Sequence, residues 1–80
     1  LTKLLKFEKE NCPACIMVEN FLDSNNVKAE KVNPFENPKL AASFMISSVP
    51  VTILLDDEGN EIQRSRGFNP SELEEIITKL

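Results

Sequence analysis

Histidine, tryptophan and tyrosine are missing from these 80 residues, and there are only two cysteines. Two cysteines with no histidine supply half the ligands of a structural zinc site, so no metal site is expected from one chain alone. Two chains sharing a cluster could still complete one. Basic charge is also scarce. Nine Lys and Arg stand against thirteen Asp and Glu, a net charge of −4. That leaves no basic footprint for nucleic acid. No apolar run approaches the length of a membrane span. The stretch Leu1 to Phe7 is too short for an export signal, and Lys3 and Lys6 interrupt it. There is no wider disulfide framework, which suits a reducing compartment. The expectation is a cytoplasmic monomer that touches neither nucleic acid nor membrane. A chain this long makes one domain, residues 1–80, with a modest core. It contains no repeat, linker or low-complexity segment.

The two cysteines fall together in Asn11-Cys12-Pro13-Ala14-Cys15. A short apolar run precedes them and a helical pattern follows, which is the sequence form of a dithiol redox site. With Cys12 at the cap position, Pro13 falls at the first helical position, where its missing N–H costs nothing. The Cys12 sulfur then faces the unpaired N–H groups of Ala14 and Cys15. Those donors and the positive end of the helix dipole favour a thiolate. Cys12 is therefore expected to attack and Cys15, one turn further in, to resolve. Three plainer readings compete. A structural disulfide would close too short a loop to remove much chain entropy. A zinc site lacks ligands. Two inert buried cysteines remain as the third.

Thr2 to Glu8 reads as a first strand, with Leu4, Leu5 and Phe7 apolar. Pro13 to about Ser24 is helical, with Met17, Val18, Phe21 and Leu22 as its buried face. Ile16 falls off that face beside Cys15 and suits a docking patch. Val27 to Asn33 reads as a second strand. Asn37 caps a second helix with Pro38 at its first position, and Leu40, Ala41, Phe44 and Met45 form its apolar face. The two strands and the intervening helix make a parallel βαβ unit. Val51 to Leu55 is the strongest strand, buried on both faces. A glycine-containing turn at Asp56 to Asn60 leads into Glu61 to Gly67, a polar edge strand with Ile62 as its clearest apolar residue. Arg64 and Arg66 there read as edge protection. Asn69-Pro70-Ser71-Glu72 starts a last helix, with Glu72 as capping-box partner and Leu73, Ile76, Ile77 and Leu80 as its stripe. The order β-α-β-α-β-β-α implies an α/β fold, a four-stranded mixed sheet flanked by three helices.

Three separated features in this order resemble the thioredoxin superfamily, over essentially the whole chain. They are Cys12-Pro13-Ala14-Cys15, Ser48-Val49-Pro50 before the buried strand, and Gly67 before the last helix. The resemblance implies a thioredoxin-like fold and a thiol-disulfide oxidoreductase that reduces protein disulfides. It implies no cofactor beyond the redox-active disulfide. It also implies a cis Pro50 facing the cysteines, with the Val49 backbone pairing an extended substrate segment. Asn11, Pro13 and Ala14 then form the active-site loop. The expected partners are disulfide-containing proteins, a thioredoxin reductase and, by likeness to glutaredoxin-sized thioredoxins, ribonucleotide reductase.

Length and starting strand are glutaredoxin-like, but Arg66-Gly67-Phe68-Asn69 holds one glycine where glutathione-binding glutaredoxins carry a pair. A glutathione-dependent glutaredoxin is thus the alternative, and a non-catalytic thioredoxin-like binding module the third reading. Asn11 stands where the family has a tryptophan. Thioredoxins bury an aspartate beneath the cysteines; a direct count back from Cys12 places Lys6 there, with Glu8 two residues on. Glu8 or water is expected to assist Cys15, and Lys31 to lower thiol pKa. The alternative is that Lys6, Glu8 and Lys31 are all solvated charges.

Overall fold

The structure is a computed structural model, and it describes residues 2–80. Seven elements follow one another: β1 (Lys3–Phe7), α1 (Pro13–Ser24), β2 (Glu30–Val32), α2 (Pro38–Ser43), β3 (Val51–Leu55), β4 (Glu61–Arg66) and α3 (Pro70–Thr78). The four strands form one sheet in the order β2-β1-β3-β4. β1 and β2 are parallel. β3 runs antiparallel to both β1 and β4. Each helix begins with proline at its first turn, where the ring needs no hydrogen bond and presets φ.

Two apolar layers sandwich the sheet. On one face Leu5, Phe7, Val51, Ile53 and Leu55 pack with Val32 and with Ala41 of α2. On the other, Leu4 and Leu54 pack with Val18 and Leu22 of α1 and Leu73 and Ile76 of α3. Alternation along β1 and β3 produces this division, since successive side chains point to opposite faces. Every residue of β3 is buried, as a central strand requires.

Several expected features take a different form. β2 is only three residues long. The Val27 N–H bonds back to the Leu22 carbonyl at 2.9 Å, so the chain is still closing α1 there and has not reached the sheet. Val27 and Ala29 instead pack on the α1–α3 layer. Both α1 and α2 end in the same way. Asn26 and Met45 adopt positive φ, 58° and 55°. The N–H of each donates to a carbonyl three residues back, and the next N–H reaches one five residues back. This is the Schellman arrangement, with Asn and Met where glycine is usual. It turns Met45 out of the expected apolar face, leaving it exposed. Asn37 occupies the α2 cap position, but its side chain makes no capping bond.

Met17 is half-exposed because Cys15 takes the inward position, so the buried face runs Cys15, Val18, Leu22. A register shift between Leu54 and Leu55 pairs them with Gln63 and Glu61 and leaves Ile62 as the extra, exposed residue. Arg64, on this edge strand, is also tied inward. Its Nε and Nη2 each donate to Glu61 at 2.6 Å. Nη2 also donates to the Phe44 carbonyl at the end of α2, at 2.9 Å. Arg66 is exposed. The Asn69 side chain caps α3 by accepting from the Glu72 N–H. Glu72 does not return the bond as a capping box would, because its carboxylate accepts from Ser65 Oγ at 2.9 Å. Leu80 lies past the end of α3 and is exposed.

Candidate active site

The cysteine loop joins the end of β1 to the start of α1. Asn11 has φ 54°, a left-handed conformation that asparagine tolerates better than most side chains. Cys12 is the cap residue of α1, in extended conformation. Its sulfur accepts from the Cys15 N–H at 3.2 Å. That one amide is the donor; the Ala14 N–H, expected to join it, does not. Cys12 and Cys15 are joined as a disulfide, with Cα atoms 5.2 Å apart. Both are buried.

Around this pair lies an open depression of about 640 Å³, lined among others by Glu8, Cys12, Cys15, Ile16, Glu19 and Lys31. Ile16 is exposed there. The charges form an alternating chain. Glu8 pairs with Lys6 at 2.8 Å, and Lys6 reaches Glu19 at 3.7 Å. Glu19 in turn pairs with Lys31. A hydrogen bond from Lys31 and the nearby charge of Lys6 hold the Glu19 carboxyl below the usual carboxylate range. The same hydrogen bond raises the Lys31 ammonium above its usual value.

These charges are therefore not all solvated. Lys31 is more than half exposed, but the Lys6 side chain is only 1% exposed. Glu19 was not singled out by sequence. Its signal is weak but present: it follows Cys15 by four residues on α1 and so shares its face.

The Val49–Pro50 peptide bond is cis. Pairing of Val51 with Phe7 places this bond at the end of the sheet from which the cysteine loop departs. Val49 lines a second depression, of about 530 Å³, together with Phe35, Pro38, Ala42 and Ile46. Lys9 borders both depressions. Gly67, at φ 69°, donates its N–H to the Pro50 carbonyl at 2.8 Å, so the turn after β4 is tied to the Val49–Pro50 segment. Among the described residues, no group of three or more His, Cys, Asp or Glu side chains is placed to hold a metal ion.

The family model described as Glutaredoxin matches residues 4–58. The SPbeta prophage-derived thioredoxin-like protein YosR of Bacillus subtilis (strain 168) is 46% identical over 78 residues, covering 98% of each chain. The chain belongs to the thioredoxin superfamily. A thioredoxin from Chlamydia pneumoniae is 37% identical over 84 residues, covering 95% of this chain and 79% of that protein. Among solved structures, the oxidised form of mitochondrial thioredoxin 3 from Saccharomyces cerevisiae superposes with a TM-score of 0.81 at 26% identity, covering 99% of this chain and 78% of that one. The four-stranded mixed sheet with three helices is thus a thioredoxin-like fold. Superfamily membership and a Cys-x-x-Cys pair that closes a disulfide support thiol-disulfide oxidoreductase activity.

Proposed function

We propose that this thioredoxin-like chain reduces disulfide bonds in other proteins through the Cys12–Cys15 pair. The observation that carries the reading is the Cys12 sulfur at the cap of α1, accepting the Cys15 N–H. In the dithiol form the same amide and the helix dipole favour a Cys12 thiolate. The thiolate attacks one sulfur of the target disulfide. A Cys12–target disulfide forms, and the other target sulfur leaves as a thiolate and takes up a proton. Cys15 then loses its proton and attacks the Cys12 sulfur. The internal disulfide closes, and the second target sulfur leaves. Two electrons have passed from the dithiol to the target.

Glu8 and water are the candidate acceptors for the Cys15 proton. Lys31, which lines the same depression and pairs with Glu19, is the candidate to lower thiol pKa. Asn11, Pro13 and Ala14 shape the loop around the attacking sulfur. The Val49 backbone beside Pro50 pairs an extended target segment as an added strand, and exposed Ile16 offers an apolar contact next to the cysteines. The proposed electron donor is a thioredoxin reductase, in the cytoplasm, with ribonucleotide reductase as one recipient.

Insulin reduction with thioredoxin reductase or dithiothreitol tests this. Cys12→Ser should abolish turnover, and Cys15→Ser should accumulate a mixed disulfide with the target. Trapping by Cys12→Ser instead reverses the assignment. The match to the Glutaredoxin family model supports a second reading, with glutathione as donor. Turnover in a glutathione-coupled assay with none from thioredoxin reductase selects it.

A further inference from the structure

Lys6, which the exchange above does not use, is the most buried lysine among the described residues. Lys6 is among the largest fully buried side chains of the protein. An ammonium this far from water needs partners. On β1's own extension it has Glu8 at 2.8 Å, and on α1 it has Glu19 at 3.7 Å. From β2, Lys31 sits in register with Lys6 and shares Glu19. From β3, Thr52 lies opposite and brings a hydroxyl but no charge. Both carboxylates line the depression that holds Cys12 and Cys15. The Lys6 ammonium is therefore within ion-pair reach of the lining of the dithiol site.

Reduction of the disulfide by two electrons and one proton leaves a thiol and a thiolate. A negative charge thus appears in a depression lined by Glu8, Glu19 and Lys31, with Lys6 paired to both carboxylates from beneath. Their formal sum is zero, so distance and exposure together decide which of them acts most strongly. The side chains of Glu8 and Glu19 are 26% and 34% exposed, and that of Lys31 is 55% exposed. Water and salt weaken their fields. Lys6 is screened least. We propose that Lys6 is a positioning residue for the redox step: its charge stabilises the thiolate of the reduced pair and biases the equilibrium toward dithiol, while Glu8 and Glu19 oppose it. The inference rests on the thiol-disulfide exchange reading of Cys12 and Cys15.

Two readouts test it without a protein substrate. One is the pH midpoint of Cys12 alkylation by iodoacetamide. The other is the equilibrium of the dithiol with oxidised glutathione. In Lys6→Met the midpoint should rise by about one pH unit. The dithiol should become about tenfold less favoured, which corresponds to about 30 mV. Glu19→Gln should move both quantities the opposite way, and Lys6→Arg should restore values near wild type. A merely structural Lys6 gives no such reversal of sign. Shifts in the same direction for Lys6→Met and Glu19→Gln, or none in either folded variant, overturn the proposal. Should Lys6→Met fail to fold, Glu8→Gln and Glu19→Gln decide alone: a lowered midpoint in both supports it, and an unchanged or raised one overturns it. A chain that cannot reduce insulin but keeps these shifts loses the reductase reading only.

Discussion

The two faces of the sheet are built on different terms. Toward α2, the central strands present Leu5, Phe7, Val51, Ile53 and Leu55, an unbroken apolar layer. Toward α1 and α3 they present Leu4 and Leu54, and then Lys6 and Thr52. The register continues this second row across the sheet, from Lys31 through Lys6 and Thr52 to Ser65. The polar row lies at the end where the cysteine loop begins. One face is therefore packing throughout, and the other gives up half of its packing to hold charge near the dithiol. The polar row is also imperfectly satisfied, because the Thr52 hydroxyl is buried without a hydrogen-bond partner among the described residues. The buried charge near the dithiol is thus separated from the Phe7 layer by the thickness of the sheet.

That separation can be broken by substitutions on each side. Phe7→Ala should have the largest effect. Phe7 is fully buried and packs against Phe44 with ring centroids 5.9 Å apart. Its loss should cost about 3–5 kcal/mol by urea unfolding. The pH dependence of Cys12 alkylation in the folded variant should stay as in wild type. A shifted titration would mean that the two faces are coupled.

Thr52→Val sharpens the comparison from the other side. The shape is kept and an unpaired buried hydroxyl is removed, so stability should rise by about 1 kcal/mol. A loss of stability instead would show that the hydroxyl has a partner in solution, such as a buried water. The smallest effect belongs to the rim. Arg64 holds the Glu61 carboxyl below the usual range through its hydrogen bond. The stability from this pair is present above the usual carboxylate pKa and fades as pH falls through the lowered one. Glu61→Gln should therefore flatten part of the acid limb of stability and leave the dithiol equilibrium unchanged. Denaturant midpoints at about pH 7 and about pH 3 measure it.

What was legible in advance follows from how local each cause is. Helix starts were read well, because proline at the first turn and Asn69 as a cap act within four residues. Helix ends were read less well. Met45 looked like a core residue by spacing, yet the left-handed closure of α2 turns it outward. Asn26 in the same conformation at the end of α1 follows the usual preference, and the helix end there was placed correctly. Ile62 had the composition of a core residue but falls at a register shift, which depends on how two strands pair. Arg64 read as edge protection, and only the tertiary structure brings the α2 terminus within its reach.

The site divides in the same manner. Adjacent residues settle that Cys12 caps α1, that Pro13 follows it and that Cys15 comes one turn later, since these relations involve a single loop and the first turn of one helix. The order of strands and helices is settled as well, by hydrophobic period and turn residues. The count back from Cys12 put Lys6 at the family's buried position, but sequence could not say which carboxylates it meets there, or that Glu19 and not Glu8 pairs with Lys31. Those contacts join β1, α1 and β2. They exist only once the strands have paired in register and the helix has docked across them, because the reach of a charged side chain depends on distances that chain spacing does not encode.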